Sequence, residues 1–208
     1  MAKYVVAEVL WDKTLTSAGV LDTNDEDDFG RSGTIRLDDF LNFRVLAALQ
    51  SDDAESGFDV CHIALNNDGT EANYRYVAAG TRGSGGAAVT VASISDNQFI
   101  GVFPTDSAAS GSWLEVNIDI QFPQTSGHRR LIYGRHRSRR DSDNIDVRVT
   151  ATEWENTDPV TRIAFVPDGS PTEKLVAGSR MVVIGEYIMS MSSGAIARGP
   201  ENITLSTL

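Results

Sequence analysis

Apolar and polar side chains alternate along most of this chain. In WLEVNIDIQF (113–122), Leu114, Val116, Ile118, Ile120 and Phe122 fall on one side. Trp113, Glu115, Asn117, Asp119 and Gln121 fall on the other. A period of two residues marks a β-strand with one buried and one wetted face. NIDVRVTATEW (144–154) repeats the pattern and predicts Ile145, Val147, Val149 and Ala151 pointing inward. Further strands are predicted over 4–11, 34–37, 40–49, 58–65, 73–79, 87–94, 131–137, 160–166 and 180–188. Turn signals such as SAGV, DFGRSG, NNDG, TRGSGG, TSGH, ENTDP and VPDGSP separate them.

Helix signals are poor. LDDFLNFRVLAALQ (37–50) has acidic capping candidates at Asp38 and Asp39, but its FRVL centre and turn-rich flanks favour a strand. SISDNQFIGVF (93–103) has room for one short helical turn. Many short strands at regular spacing predict an all-β fold, a single antiparallel β-sandwich of jelly-roll-like form. No heptad or internal repeat is visible, so one domain is expected over 28–188. Residues 1–27 are read as an N-terminal strand and acidic loop packed on that domain or on a neighbouring subunit. Residues 189–208 are read as an extended C-terminal tail.

Composition narrows the partners. The 208 residues carry a formal charge of -11, and 3 of the 18 basic residues are lysine. An acidic balance argues against nucleic acid and anionic membranes as partners. No apolar run approaches the length of a membrane span, and MAKYVVAEVLW lacks the apolar core of a signal peptide. Synthesis and retention in a cytoplasm are therefore expected. A single cysteine, Cys61, forbids an intrachain disulfide and reads as a small core residue. His62 should point to the opposite face of the same strand, so the two do not form a nucleophile and base.

No enzyme motif emerges. G-x-S-x-G, H-E-x-x-H and a Walker loop are all missing, and GTRGSGG (80–86) reads as a flexible hairpin tip. The expectation is a protein without catalysis and without cofactor. Two polar stretches still raise questions. NNDGTEANYRYVAAG (66–80) offers oxygen ligands at Asn66, Asp68 and Glu71, the candidates for a calcium loop, but lacks the alternating acids of an EF-hand. A sugar-binding loop and a plain strand–strand turn are the other readings. The turn is favoured, with Asn67–Gly69 supplying the permissive backbone. NDEDD (24–28) is a second acidic loop. HRRLIYGRHRSRR (128–140) holds six arginines, Arg129, Arg130, Arg135, Arg137, Arg139 and Arg140, and no acid. Taking six positive charges from a net -11 leaves -17 on the rest of the chain. This segment is the candidate surface for an acidic partner, including another copy of the chain. The competing readings are a nucleic-acid patch, poorly supported without stacking aromatics, and a solvated edge strand.

In order, the pieces form a pattern. IRLDDFLNFRVLAAL leads to ALNNDGTEANYRY and a Gly-rich hairpin. WLEVNIDIQFPQ, HRRLIYGRHRS, VTRIAFVPDG and AGSRMVVIGEY follow. Over roughly residues 28–188 this resembles a group of small tailed-bacteriophage virion proteins labelled head decoration, head fibre or tail fibre proteins. Asn67, Gly69, Asn73 and Tyr74 match the loop pattern of that group best. The stretch between the Gly-rich hairpin and Trp113 is hard to align. The resemblance implies a β-sandwich carried in many copies on a virion assembled in a bacterial cytoplasm, often as a homotrimer. The partner it implies is the major capsid protein or another virion protein, with the chain acting as a capsid decoration or cement protein. The alternative is a tail fibre or baseplate module that binds a receptor or carbohydrate through residues such as Asn67, Asn73, Tyr74 and Tyr76. No catalytic or ligand-binding residue carries over.

Overall fold

The computed structural model describes residues 2–23, 40–52, 58–84, 87–96, 99–104, 112–121, 123, 127–139, 145–167, 174–192, 195–198 and 201–203. Among them the chain is all-β. The strands are β1 (Ala2–Thr14), β2 (Leu21–Asp22), β3 (Asn42–Leu49), β4 (Phe58–Leu65), β5 (Tyr74–Ser84), β6 (Ala87–Asp96) and β7 (Phe99–Pro104). They continue with β8 (Leu114–Gln121), β9 (Arg130–Arg139), β10 (Ile145–Trp154), β11 (Ile163–Pro167), β12 (Arg180–Ser192), β13 (Ala195–Arg198) and β14 (Glu201–Ile203). A 3-10 turn, Glu71–Asn73, precedes β5. The predicted strand at 34–37, the acidic run 24–28, Phe122 and Arg140 lie outside the described residues.

All pairings are antiparallel. A 10-stranded sheet runs β14-β13-β12-β3-β8-β9-β10-β5-β6, and β1 lies along the other side of β12. A 4-stranded sheet, β2-β11-β4-β7, packs on it, giving a sandwich. The alternation predicted for β8 is observed: Leu114, Val116, Ile118 and Ile120 are buried. They meet Phe43 and Val45 of β3 and Cys61, Ile63 and Leu65 of β4 in one core. Each such aliphatic side chain contributes about 1.5–3 kcal/mol on burial. In β1 the register slips between Val9 and Trp11, so Leu10 and Trp11 are both buried in succession. A bulge of this kind inserts an extra residue and lets two neighbours share one face.

β10 reverses the prediction. Asp146, Arg148, Thr150, Thr152 and Trp154 are buried, while Ile145, Val147 and Val149 face solvent. The parity is set at the strand's end. There the fully buried Trp154 stacks on Tyr74 with ring centroids 6.3 Å apart. With Trp154 inward, every second residue before it is inward too. Arg148 then grips Asp146 through two bonds, 2.8 and 2.6 Å, which offsets the desolvation of both charges.

Two other expectations change. SISDNQFIGVF holds no helical turn among its described residues; it forms the end of β6 and the start of β7. Residues 80–84 of GTRGSGG belong to β5, which pairs with β6 as far as Ser84 and Ala87, and residues 85–86, where the hairpin tip was expected, lie outside the described residues. Gly80 is glycine for steric reasons, since a Cβ there would collide with the Val147 carbonyl and lie 2.6 Å from Arg148 Cγ.

Candidate functional site

The loop after β4 is a tight hairpin. Asn66 (φ 53) and Asn67 (φ 61) both occupy the left-handed region, and the Asp68 N–H donates to the Leu65 carbonyl at 2.9 Å. Two consecutive positive φ values are the mark of a type I′ turn. The permissive pair is therefore Asn66–Asn67, not Asn67–Gly69, because asparagine tolerates this backbone without needing glycine. Asn66 also ties the turn to the segment before β11. Its amide nitrogen donates to the Pro159 carbonyl at 2.8 Å, and its oxygen accepts from the Thr161 and Arg162 N–H groups at 2.7 and 3.1 Å.

Asp68 is engaged by the protein itself. Its carboxylate accepts from Asn73 Nδ2 at 2.9 and 3.2 Å, from the indole of Trp154 at 2.9 Å and from the Thr70 N–H at 3.1 Å. Burial pushes its pKa up, but these donors together outweigh burial and hold it below the ordinary value. The Tyr74 hydroxyl donates to the Asp68 carbonyl and accepts from the Leu65 N–H, both at 3.0 Å. Burial raises the pKa of that phenol. Of the calcium candidates, Asn66 and Asp68 thus spend their oxygens on N–H donors, and Glu71 stands exposed. Of the sugar candidates, Tyr74 is buried and Asn73 is held by Asp68. Among the described residues no cluster of three His, Cys, Asp or Glu could hold a metal ion.

The arginine segment does not act as one patch. Arg130 is fully buried, and its guanidinium donates to the carbonyls of His128, Thr157 (2.9 Å) and Asp158 (2.8 Å). Desolvation lowers its pKa, opposed by the charge of Asp158. Arg129, Arg135, Arg137 and Arg139 share the opposite parity and face solvent. They belong to the outer face of the large sheet, the face that the 4-stranded sheet leaves uncovered.

That face has a recognisable composition. Its charges pair across strands. Arg44 meets Asp119 at 3.0 Å and Glu186 at 3.2 Å, and Arg137 meets Glu115 at 3.3 Å. Arg129 meets Glu153 at 2.9 Å and Glu155 at 3.4 Å, while Arg75 meets Glu155 at 2.8 Å. Between them runs an apolar stripe: Val149 (55% exposed), Val77 (47%), Tyr133 (43%) and Val147 (43%). Arg135 sits at its centre, opposite Asn117 on β8 and Val149 on β10. It forms no ion pair among the described residues. Shallow depressions flank it on both sides. One is lined by Arg44, Asn117, Asp119 and Tyr133, the other by Glu115, Arg137 and Val147. No family model, curated protein or solved structure matches this chain. The geometry of the face therefore carries the functional argument.

A second cluster lies beneath it. His136 Nε2 is 3.5 Å from Asp146 Oδ1, beside the Asp146–Arg148 pair, and both the histidine and aspartate side chains are fully buried. β7 seals this cluster, since a Cβ at Gly101 would lie 3.2 Å from the His136 ring. Reading the sequence missed both the outer stripe and this cluster. The signal for the stripe was present, since Arg135, Arg137 and Arg139 share a parity with Tyr133. The cluster had no signal beyond a charged parity that looked like the wetted one.

Proposed function

We propose that the chain is a structural protein of a tailed-bacteriophage virion that decorates the outer face of the capsid shell, in contact with the major capsid protein. The observation that carries this reading is the uncovered outer face of the 10-stranded sheet. An apolar centre with tyrosine and arginine, ringed by paired charges, is the composition of a protein-docking surface. The motif order from IRLDDFLNFRVLAAL to AGSRMVVIGEY, similar to that of small phage virion proteins, supplies the particle. With this role we propose the jelly-roll-like connectivity, extended terminal segments and homotrimeric state of that group, and no enzymatic activity, membrane or nucleic-acid partner. Among the described residues no helix is long and apolar enough to cross a membrane. The alternative, a tail fibre or baseplate module that binds a carbohydrate, loses two of its loop residues, because Tyr74 is buried and Asn73 is bonded to Asp68. Antibody labelling of purified virions tests the reading. Signal distributed over the head supports decoration, signal at the tail tip supports the alternative, and absence from particles overturns both.

A further inference from the structure

We propose that the two ends of the chain form a projecting leaf that is clasped by a neighbouring copy of the same chain. This rests on the homotrimeric state proposed above and names the element that builds it. The outer face of the large sheet stays free for the shell.

The leaf is visible in the strand register. One row of paired positions crosses the large sheet through Glu186, Asn42, Gln121, Leu131, Glu153 and Arg75. β3, β8, β9, β10 and β5 each start or stop within one residue of that row. β12 does not stop there. It runs on from Glu186 to Ser192, with Ala2–Val6 of β1 along one edge and β13 along the other. β14 pairs with β13 and completes the leaf. At about 3.3 Å per residue the leaf reaches roughly 20 Å past the rim of the sandwich.

The core ends at the base of the leaf. Tyr187 of β12 belongs to it and Val6 of β1 packs against it, but Tyr4 is 51% and Val5 71% exposed. Neighbours on a strand face opposite sides, so both sides of the leaf are open at β1. A small sheet with neither face covered has little stability of its own. This one is apolar: Ala2, Met191, Ile196 and Ile203 occupy one register row across its strands, and Val5 pairs with Ile188.

Charge and area select the cover. The charged residues of the leaf are Lys3, Arg198 and Glu201, a net +1. Taking +1 from the -11 of the whole chain leaves -12 on the rest. The body of a second copy is therefore a partner of the fitting sign. Four strands about 4.8 Å apart and about 4–5 residues long give the leaf a side of roughly 19 by 15 Å. Covering one side buries about 600 Å² with the surface that meets it, short of the ~1,000 Å² that a specific interface clears, whereas covering both gives about 1,150 Å². The leaf is therefore clasped on both sides. Such a contact joins unlike surfaces and is satisfied for every copy when the copies close into a ring.

Sedimentation velocity of the purified full chain between about 1 and 100 μM tests the proposal. The wild-type chain should sediment as three copies at the upper end. Tyr4→Asp and Val5→Asp should each weaken association at least tenfold. Both side chains are exposed, so the single-copy melting curve should not move. Hydrogen exchange followed by mass spectrometry needs no variant. Amides of residues 2–6 and 188–198 should exchange at least tenfold faster in the single copy than in the assembled chain, while those of β8 stay unchanged. A three-copy state that survives both variants, or leaf amides that exchange equally fast in both states, overturns the leaf contact and leaves the homotrimer standing. A wild-type chain that stays single throughout overturns the homotrimer and the leaf contact together.

Discussion

Replacing Asp68 with alanine removes the acceptor at the centre of the loop between β4 and β5. Three donors lose a partner: Asn73 Nδ2, Trp154 Nε1 and the Thr70 N–H. Thr70 is exposed and Asn73 partly so, and both can turn to water. Trp154 is fully buried and cannot. A hydrogen bond to a charged group contributes about 1.5–3 kcal/mol, and a stranded buried donor costs about 1–3 kcal/mol. The expected loss is therefore about 3–4 kcal/mol for Asp68→Ala and about 1–2 kcal/mol for Asp68→Asn, which retains one acceptor. For a chain of this size each kcal/mol shifts Tm by about 2–4 °C, so Asp68→Ala should melt about 6–16 °C lower. The pH dependence has a definite sign. The folded carboxyl titrates below its unfolded value of about 3.9, so its contribution is full above that pH and is lost as pH falls through the folded value. The gap between wild type and Asp68→Ala should hold from pH 7 to 5 and narrow below about pH 4. Urea and thermal unfolding followed by tryptophan fluorescence at pH 7, 5 and 3 give the comparison. A loss under about 0.5 kcal/mol at pH 7 would refute the reasoning, being no more than an ordinary surface substitution. So would a wild-type Tm that rises by several degrees with added calcium, because the carboxylate would then serve a cation.

The same measurements check three further expectations. Tyr74→Phe removes the hydroxyl that bridges Leu65 and Asp68 and should lose about 1–2 kcal/mol with the aromatic stack intact. Arg130→Met strands the carbonyls of Thr157 and Asp158 and should lose about 3 kcal/mol, whereas Arg137→Ala, whose ion pair is solvated, should stay within about 0.5 kcal/mol. Equal effects at the two arginines would contradict the burial difference. Gly80→Ala pushes a methyl into the backbone of β10 and should lose about 1–3 kcal/mol, read as a lower urea midpoint at constant slope.

Strand positions were legible because each strand's own side chains announce them. β4 runs over Phe58–Leu65 as predicted, and β8 and β10 differ from prediction by one residue at their ends. Which face of a strand is buried was less legible, because burial is decided across strands. The valines of β10 alternate as a core face does, yet Trp154 sets the parity against them. The six arginines show the same limit. Their count suggested one basic surface, but Arg130 has the inward parity and the Arg129 and Arg137 charges are answered by Glu153, Glu155 and Glu115. Those partners lie 22 to 26 positions away in sequence. No local pattern announces them.

The loop and the outer face are linked through one side chain. Trp154 lies inward because its ring stacks on Tyr74 and its N–H needs the acceptor at Asp68. Since side chains alternate strictly along a strand, that choice also decides the far end of β10. It sends Asp146 and Arg148 into the sandwich and turns Val147 and Val149 out beside Arg135. A slip of one residue would bring the valines in, but it would also turn Trp154 outward and strand Asp68's donors. The paired registers of β10 with both β9 and β5, ten residues each, resist such a slip. The apolar stripe on the uncovered face is therefore not an accident of surface composition. It is the reverse side of the tryptophan staple that closes the NNDGTEANY loop, and whatever covers that stripe relieves an exposure the fold cannot remove by itself.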